Sequence, residues 1–264
     1  MSMTTRNRSK RRWSRTAARL LLVGVYGVAC SKGSDRQSAG DSAGGGTDAS
    51  AAKSTAGAAA TTSKRASDSA SSGSHARSSI VFAGTSITAG LGLEPDSAYP
   101  MLIQRKIDSA GLPFAVTNAG VSGETSAGLI DRLDWLLRGD FRVLVLETGA
   151  NDGLRGVAPA TLRANLETAL DRIRAKRPDA KIVLVQMEAL PNLGAKYAAD
   201  FHRLYGEVAK EKGVTLIPFL LNNVAGKREL NQGDGVHPNN QGEHIVADNV
   251  WRALRPVLDS VAGR

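Results

Sequence analysis

Short apolar runs recur along the chain from residue 79 onward and alternate with longer amphipathic segments. The runs are continuously apolar instead of alternating with polar residues, which is typical of parallel strands covered on both faces. We predict five strands, at residues 79–83, 114–118, 143–147, 182–186 and 214–217.

The segments between these strands carry apolar residues at spacings of three and four, which places them on one stripe of a helix. The predicted stripes are Leu129, Leu133, Leu136 and Leu137; Leu162, Leu166, Leu170 and Ile173; and Val246, Val250, Leu254 and Val257. Strands that alternate with helices predict an α/β fold with three layers, α/β/α, around a five-stranded parallel sheet with right-handed crossovers.

The loops that follow the predicted strands contain the candidate chemistry, because ligands of open parallel sheets bind beyond the carboxyl ends of the strands. Ser86 lies in a glycine-flanked turn after the first strand, and Asn151 follows the third. Asp234 precedes His237 by three residues, a spacing that lets a carboxylate hold one ring nitrogen while the other faces a nucleophile. Each piece alone is also an ordinary turn sequence, so the prediction depends on their occurrence together.

Residues 1–78 have a different composition from the rest of the chain. Basic residues precede an apolar run from Leu20 to Ala29, a pattern that predicts a signal peptide at residues 1–29. Ten apolar residues are too few for a transmembrane helix, which needs about 20. Residues 30–78 are rich in Ser, Ala and Gly and are predicted to form a disordered tether ahead of one domain at residues 79–264.

The only cysteine, Cys30, follows the small residues Gly27 and Ala29. This stretch resembles a bacterial lipobox, in which the cysteine is lipidated and becomes the new N-terminus. Cleavage at the same bond that leaves a free thiol is the alternative. Lipidation predicts an exported protein of the bacterial cell envelope, anchored in a membrane and facing the periplasm.

The net charge of +9 lies entirely in residues 1–78, which hold 13 Lys and Arg against 4 Asp. The predicted domain holds 21 basic and 21 acidic residues. Binding to nucleic acid requires an excess of basic residues on the folded part, so we predict no nucleic-acid partner. The other histidines, His75, His202 and His244, lack partners at ligand spacing, and we predict no metal and no cofactor.

The strand-end loops resemble, in order and spacing, the conserved blocks of the GDSL-type SGNH hydrolases, and among them the lysophospholipase, thioesterase and arylesterase branch. The resemblance covers nearly all of residues 79–264 and implies a flavodoxin-like SGNH fold. It also implies a catalytic triad in which Ser86 is the nucleophile, His237 the base and Asp234 its partner. The implied oxyanion hole is formed by the backbone of Ser86, by Gly120 and by the side chain of Asn151.

Two positions depart from the family pattern. Thr85 stands where the Gly-Asp-Ser-Leu block has Asp, and Glu124 stands where Asp is usual in the second block. Neither is a triad residue, so hydrolase activity is still expected. The change at Thr85 nevertheless leaves open a binding module that kept the fold and lost turnover.

The predicted reaction is hydrolysis of acyl or aryl esters, including lysophospholipids or thioesters, through an acyl-serine intermediate. Five apolar residues of the strand-end loops are predicted to contact the substrate: Val121, Leu154, Met187, Leu190 and Leu193. A carbohydrate O-acetyl esterase is the alternative among enzymes. The acyl-chain length and the oligomeric state do not follow from the sequence.

Overall fold

The structure is a computed structural model and describes residues 77–264. The predicted signal peptide, Cys30 and nearly all of the predicted tether lie outside these residues. None of the helices in residues 77–264 has the length and apolarity needed to cross a membrane.

A single five-stranded sheet forms the centre of the domain, and all its strands are parallel. The strands are β1 (Ser78–Gly84), β2 (Phe114–Gly120), β3 (Val143–Glu147), β4 (Lys181–Val185) and β5 (Thr215–Ile217). Their order, β2-β1-β3-β4-β5, is the flavodoxin-like order, in which the direction of strand addition reverses between β1 and β3. The predicted fold class is confirmed.

Seven α-helices accompany the sheet in the described part of the chain. They are α1 (Ser86–Ala89), α2 (Tyr99–Ser109), α3 (Ser126–Leu136), α4 (Ala150–Leu154), α5 (Pro159–Lys176), α6 (Ala195–Lys212) and α7 (Asn240–Val261). Helix α2 packs against α7, while α5 packs against both α3 and α6. These two groups form the outer layers of the sandwich.

The boundaries of β4, β5 and the last apolar stripe differ slightly from those predicted. Val214 is not part of β5, because its N–H donates to the carbonyl of Ala209 where α6 ends at the left-handed Gly213. The buried stripe of α7 ends at Leu258 instead of the predicted Val257, because Leu258 continues the spacing of four from Leu254.

Candidate active site

The nucleophile candidate lies in the turn that joins β1 to α1. Strand β1 ends at Gly84, Thr85 has an extended backbone, and α1 begins with Ser86. As the first residue of a helix, Ser86 has a backbone N–H with no acceptor inside that helix. The serine is 8% exposed, so its hydroxyl lies at a sheltered position on the carboxyl edge of the sheet.

The three predicted triad residues lie in contact. His237 Nε2 is 2.8 Å from Ser86 Oγ, and His237 Nδ1 is 2.6 Å from Asp234 Oδ2. With Nδ1 protonated and donating to the carboxylate, Nε2 is free to accept the serine proton. The arrangement is that of a serine nucleophile with a base held by an acid.

Asp234 is held by its own loop as well as by the imidazole. Its Oδ1 accepts hydrogen bonds from the backbone N–H groups of Val236 at 2.9 Å and His237 at 3.0 Å. These bonds and the one to the His237 ring lower the pKa of Asp234 to about 2, although its side chain is half exposed. The carboxylate is therefore ionised at neutral pH.

Gln232 connects the loop of the triad to the loop of the nucleophile. Its Nε2 donates to the carbonyls of Leu91 at 2.7 Å and Pro238 at 2.9 Å, and its backbone N–H donates to the His237 carbonyl at 2.7 Å. This residue was not predicted from the sequence, because no local pattern links Gln232 to Leu91, which lies 141 positions away.

Gly120 and Asn151 also lie on the carboxyl edge of the sheet. Gly120 is the last residue of β2, and Asn151 lies in the first turn of α4. In the structure the Gly120 N–H donates to Asn118 Oδ1 at 3.0 Å. The Asn151 amide donates to the Glu124 carbonyl at 2.9 Å, which leaves its second hydrogen available. A side chain at Gly120 would meet Ala89, because a Cβ there would lie 2.3 Å from the Ala89 nitrogen.

Glu124 forms part of a link between the second loop and the nucleophile turn. It pairs with Arg132, whose Nη2 lies 2.8 Å from Glu124 Oε2 and also points to the Gly84 carbonyl at 3.4 Å. The Glu124 side chain is almost fully buried. The longer acid at this position therefore has a defined partner in this chain.

Asp152 joins the second loop to the third. Its buried carboxylate accepts hydrogen bonds from the backbone N–H of Ser126 at 2.8 Å and from the Ser126 hydroxyl at 2.5 Å. The Asn165 amide donates to the same hydroxyl at 2.8 Å. The carboxylate thus satisfies the N–H of the first residue of α3. These bonds also fix the position of Asp152, the residue that follows Asn151.

An apolar cavity of about 380 Å³ lies beside the triad. Of the five residues predicted to contact substrate, Leu154, Met187 and Leu190 line it, and Val121 and Leu193 do not. The other residues that line the cavity, beyond the five predicted contacts, are Ile87, Ala150, Glu188, Ala189, Pro191, Phe219, Leu221, Ala225, Gly226, Gly235 and Val236. Most of them lie in the loops that follow β4 and β5.

Glu188 is the acidic residue in the wall of this cavity. Its Oε1 lies 2.6 Å from His202 Nδ1 and accepts a hydrogen bond from Gln186 Nε2 at 2.7 Å. His202 is thus paired with an acid and an amide. Within residues 77–264, no group of three or more His, Cys, Asp or Glu side chains is arranged to hold a metal ion.

Comparisons with known proteins agree with this geometry. Residues 82–245 match the GDSL-like Lipase/Acylhydrolase family. The chain is 39% identical over 184 residues to the esterase TesA of Pseudomonas aeruginosa, an alignment that covers 69% of this chain and 90% of the relative. It is 33% identical over 185 residues to the arylesterase of Vibrio mimicus, covering 70% of this chain and 92% of that protein. The thioesterase 1/protease 1/lysophospholipase L1 of Escherichia coli K12 is also 33% identical over 185 residues, with 70% and 86% covered.

Solved structures show the same likeness. The crystal structure of TesA superposes with a TM-score of 0.65 at 38% identity and covers 68% of this chain and 99% of that one. The esterase EstA from Pseudoalteromonas sp., in a structure inhibited by monoethylphosphonate, also has a TM-score of 0.65, at 30% identity, with 69% and 98% covered. The family resemblance predicted from the strand-end loops is confirmed, and the chain belongs to the GDSL-like lipase/acylhydrolase family.

Proposed function

We propose that this protein is a serine carboxylester hydrolase whose catalytic triad is Ser86, His237 and Asp234. The observation that carries the proposal is the continuous contact from Ser86 Oγ through the imidazole to Asp234, at 2.8 and 2.6 Å, beside an apolar cavity. Relatives named esterase, arylesterase and thioesterase/lysophospholipase support the same reaction class.

The reaction begins when Ser86 Oγ attacks the acyl carbon and His237 Nε2 takes the serine proton. The ionised Asp234 stabilises the imidazolium that results. The tetrahedral intermediate then expels the alkoxide or thiolate, which receives the proton from His237, and the acyl group stays on Ser86. Water, deprotonated by His237, attacks the acyl-serine and releases the acid and the free serine.

The negative oxygen of the tetrahedral intermediate needs fixed hydrogen-bond donors. We assign this role to the backbone N–H of Ser86, the N–H of Gly120 and the side-chain amide of Asn151. Support for Asn151 is its second amide hydrogen, which the bond to Glu124 leaves available. Gly120 must share or exchange its present bond to Asn118 to take part.

The apolar walls of the cavity favour substrates with a hydrophobic acyl group. Its volume falls in the range of small-molecule sites, and its walls are mainly aliphatic and aromatic. Leu154, Leu190 and Val236 are exposed among the residues that line it, so an acyl chain would cover apolar surface that now faces water. Sugar hydroxyls would find few partners there, which favours acyl esters over the O-acetyl groups of carbohydrates.

The test compares hydrolysis of p-nitrophenyl esters of increasing acyl length by the wild type, Ser86→Ala and a control, Ser109→Ala, on the exposed end of α2. We expect kcat to fall by about 10³-fold to 10⁶-fold in Ser86→Ala and to stay unchanged in the control. We also expect kcat/KM to rise with chain length until the cavity is filled. Unchanged hydrolysis in Ser86→Ala would refute the assignment.

Two further outcomes separate the alternatives. Faster release of acetate from an acetylated oligosaccharide than from any acyl ester would identify a carbohydrate O-acetyl esterase. Folded protein that a fluorophosphonate fails to label at Ser86 would identify a binding module without turnover.

We also propose that the enzyme is anchored in the cell envelope through lipidated Cys30. The support is the basic and apolar N-terminal sequence that ends in Gly27, Ala29 and Cys30. Metabolic labelling with a palmitate analogue should mark the wild type and leave Cys30→Ala unlabelled. Equal labelling of both would contradict the anchor.

A further inference from the structure

A buried carboxylate lies directly beneath the turn that carries Ser86. Glu147 is the last residue of β3 and is fully buried. Its Oε2 accepts a hydrogen bond from the backbone N–H of Thr85 at 2.6 Å, and the Thr85 hydroxyl lies 3.0 Å from both carboxylate oxygens. The Thr88 hydroxyl donates to Oε2 at 2.9 Å. Glu147 therefore binds the residue before the nucleophile and the residue two positions after it.

Gly84 has no room for a side chain because of this arrangement. A Cβ on Gly84 would lie 2.0 Å from the Thr88 hydroxyl oxygen and 2.6 Å from Glu147 Oε2. The glycine thus lets the carboxylate approach the backbone of the turn closely. The close approach is what allows a residue of β3 to hold the end of β1.

The same contacts continue toward the helix that follows His237. The Thr88 hydroxyl lies 2.9 Å from the Tyr99 hydroxyl, and the Tyr99 backbone N–H donates to Glu243 Oε2 at 2.7 Å. Glu243 lies in the first turn of α7. Buried polar contacts through the hydroxyl and the backbone N–H of Tyr99 therefore connect the nucleophile turn with α7, the helix that follows His237 in the chain.

We propose that Glu147 is a positioning residue for Ser86, and that Thr85, which replaces the aspartate of the family pattern, serves as its neutral hydrogen-bond partner. Glu147 does not touch the reacting atoms. It fixes the direction in which the turn presents the serine hydroxyl to His237. The inference rests on the proposed function, because it assigns a role in the chemistry of that same site.

The identity of residue 85 controls how many charges the buried pocket must hold. An aspartate there would place a second carboxylate within reach of Glu147, and two adjacent carboxyl groups cannot both ionise without strong repulsion. The other titratable or charged groups near Glu147 are Tyr99 on α2, Tyr205 on α6 and the Glu124–Arg132 pair. Within residues 77–264, Arg132 is the cation that reaches the turn, and it is already bound to Glu124. A threonine hydroxyl donates without adding charge.

The experiment measures kcat per active site, with sites counted by fluorophosphonate titration so that unfolded protein does not enter the value. Thr85→Val keeps the shape of the side chain and removes the hydroxyl, and we expect kcat to fall about tenfold with KM changed less than about twofold. Glu147→Ala should lower kcat by about 100-fold, the size of loss that a small misplacement of reacting groups causes. Thr85→Ser should recover most of what Thr85→Val loses. Thr168→Val, which removes an exposed hydroxyl of α5, is the matched control and should leave kcat unchanged.

Thr85→Asp and Thr85→Asn form a matched pair that tests the effect of a charge at residue 85. Thr85→Asp should lose kcat progressively as pH rises from 6 to 9, because the added carboxyl group and Glu147 then compete to ionise. Thr85→Asn, which has the same shape without the charge, should show the pH profile of the wild type at a lower kcat. Parallel pH profiles for the two variants would overturn the role given to Thr85.

The proposal can fail separately from the proposed function. If Ser86→Ala abolishes hydrolysis while Thr85→Val and Glu147→Ala keep the wild-type kcat per titrated site, the triad stands and the positioning role is wrong. If Glu147→Ala does not fold, the Thr85 variants decide. A melting temperature lowered in Thr85→Val with kcat per site unchanged would assign Glu147 to stability alone and would overturn the proposal.

Discussion

Two carboxyl groups nine residues apart, Asp234 and Glu243, have opposite electrostatic surroundings. Asp234 is half exposed and accepts three hydrogen bonds, and its pKa is lowered to about 2. Glu243 is buried and accepts one hydrogen bond, from the Tyr99 N–H, and loss of hydration raises its pKa to about 8. The number of donors and the access to water thus decide whether each group is charged near neutral pH.

The difference in charge between Asp234 and Glu243 matches different roles for the exposed loop and the buried interior at this edge of the sheet. The exposed loop keeps a charge next to the imidazole, where the proposed reaction would form an imidazolium. The interior beneath it holds carboxyl groups that connect α2, α7 and the nucleophile turn through hydrogen bonds. Removing the charge of Asp234 should therefore affect catalysis, and replacing Glu243 should affect the pH dependence of stability.

Among the variants that test this contrast, the largest effect is expected for Asp234→Asn. The amide would leave the fold intact but remove the charge that stabilises the imidazolium and fixes the proton on Nδ1, so kcat should fall by about 10³-fold to 10⁴-fold. Steady-state hydrolysis of a p-nitrophenyl ester measures this. Asp179→Asn, an exposed acid in the turn before β4, is the control and should behave as wild type. A loss smaller than tenfold would show that the Asp234 charge is not required.

The sequence predicted the candidate triad residues in the strand-end loops and missed the buried groups that contact those loops. Ser86, Asp234 and His237 lie in turn sequences whose types and spacing are local properties. Glu147 reads as the last residue of a strand, and its contact with Thr85 spans 62 positions. Nothing local marks such a group, because its role arises only when parallel strands bring their ends together.

The apolar residues near the cavity could also be predicted only in part. Leu154, Met187 and Leu190 could be predicted to lie near the nucleophile because they follow the right strands, and they line the cavity. Val121 and Leu193 follow strands in the same way, yet they are not among the residues that line the cavity. The direction of a loop side chain depends on tertiary packing, which the apolar pattern does not encode.

An intermediate effect is expected for Asn151→Ala, which removes a proposed oxyanion donor at the carboxyl edge of the sheet without altering the triad. Loss of one donor to the oxyanion should lower kcat by about 10²-fold to 10³-fold with little change in KM. Asn151→Asp should lower kcat further, because a carboxylate would repel the developing negative charge. Equal kcat for Asn151→Ala and the wild type in the same ester assay would remove Asn151 from the oxyanion hole.

The smallest effect is expected for Glu243→Gln and appears in stability. Below the ordinary glutamate pKa of 4.5, the carboxyl group is protonated in both the folded and unfolded states, so its burial carries no charge penalty. As pH rises from 4.5 toward 8, the unfolded chain releases a proton that the folded chain keeps, so the free energy of unfolding of the wild type falls. Glutamine mimics the protonated form and lacks this slope.

The melting temperatures of Glu243→Gln and the wild type should therefore be similar at pH 5 and differ by several degrees at pH 9, with the variant higher. Thermal unfolding followed by circular dichroism at pH 5, 7 and 9 measures the difference. Glu229→Gln, an exposed acid in the loop before α7, controls for the loss of one negative charge. Because only a buried group with few donors produces this slope, parallel pH curves for the wild type and Glu243→Gln would mean that Glu243 is hydrated like Asp234, and the contrast between loop and interior would be lost.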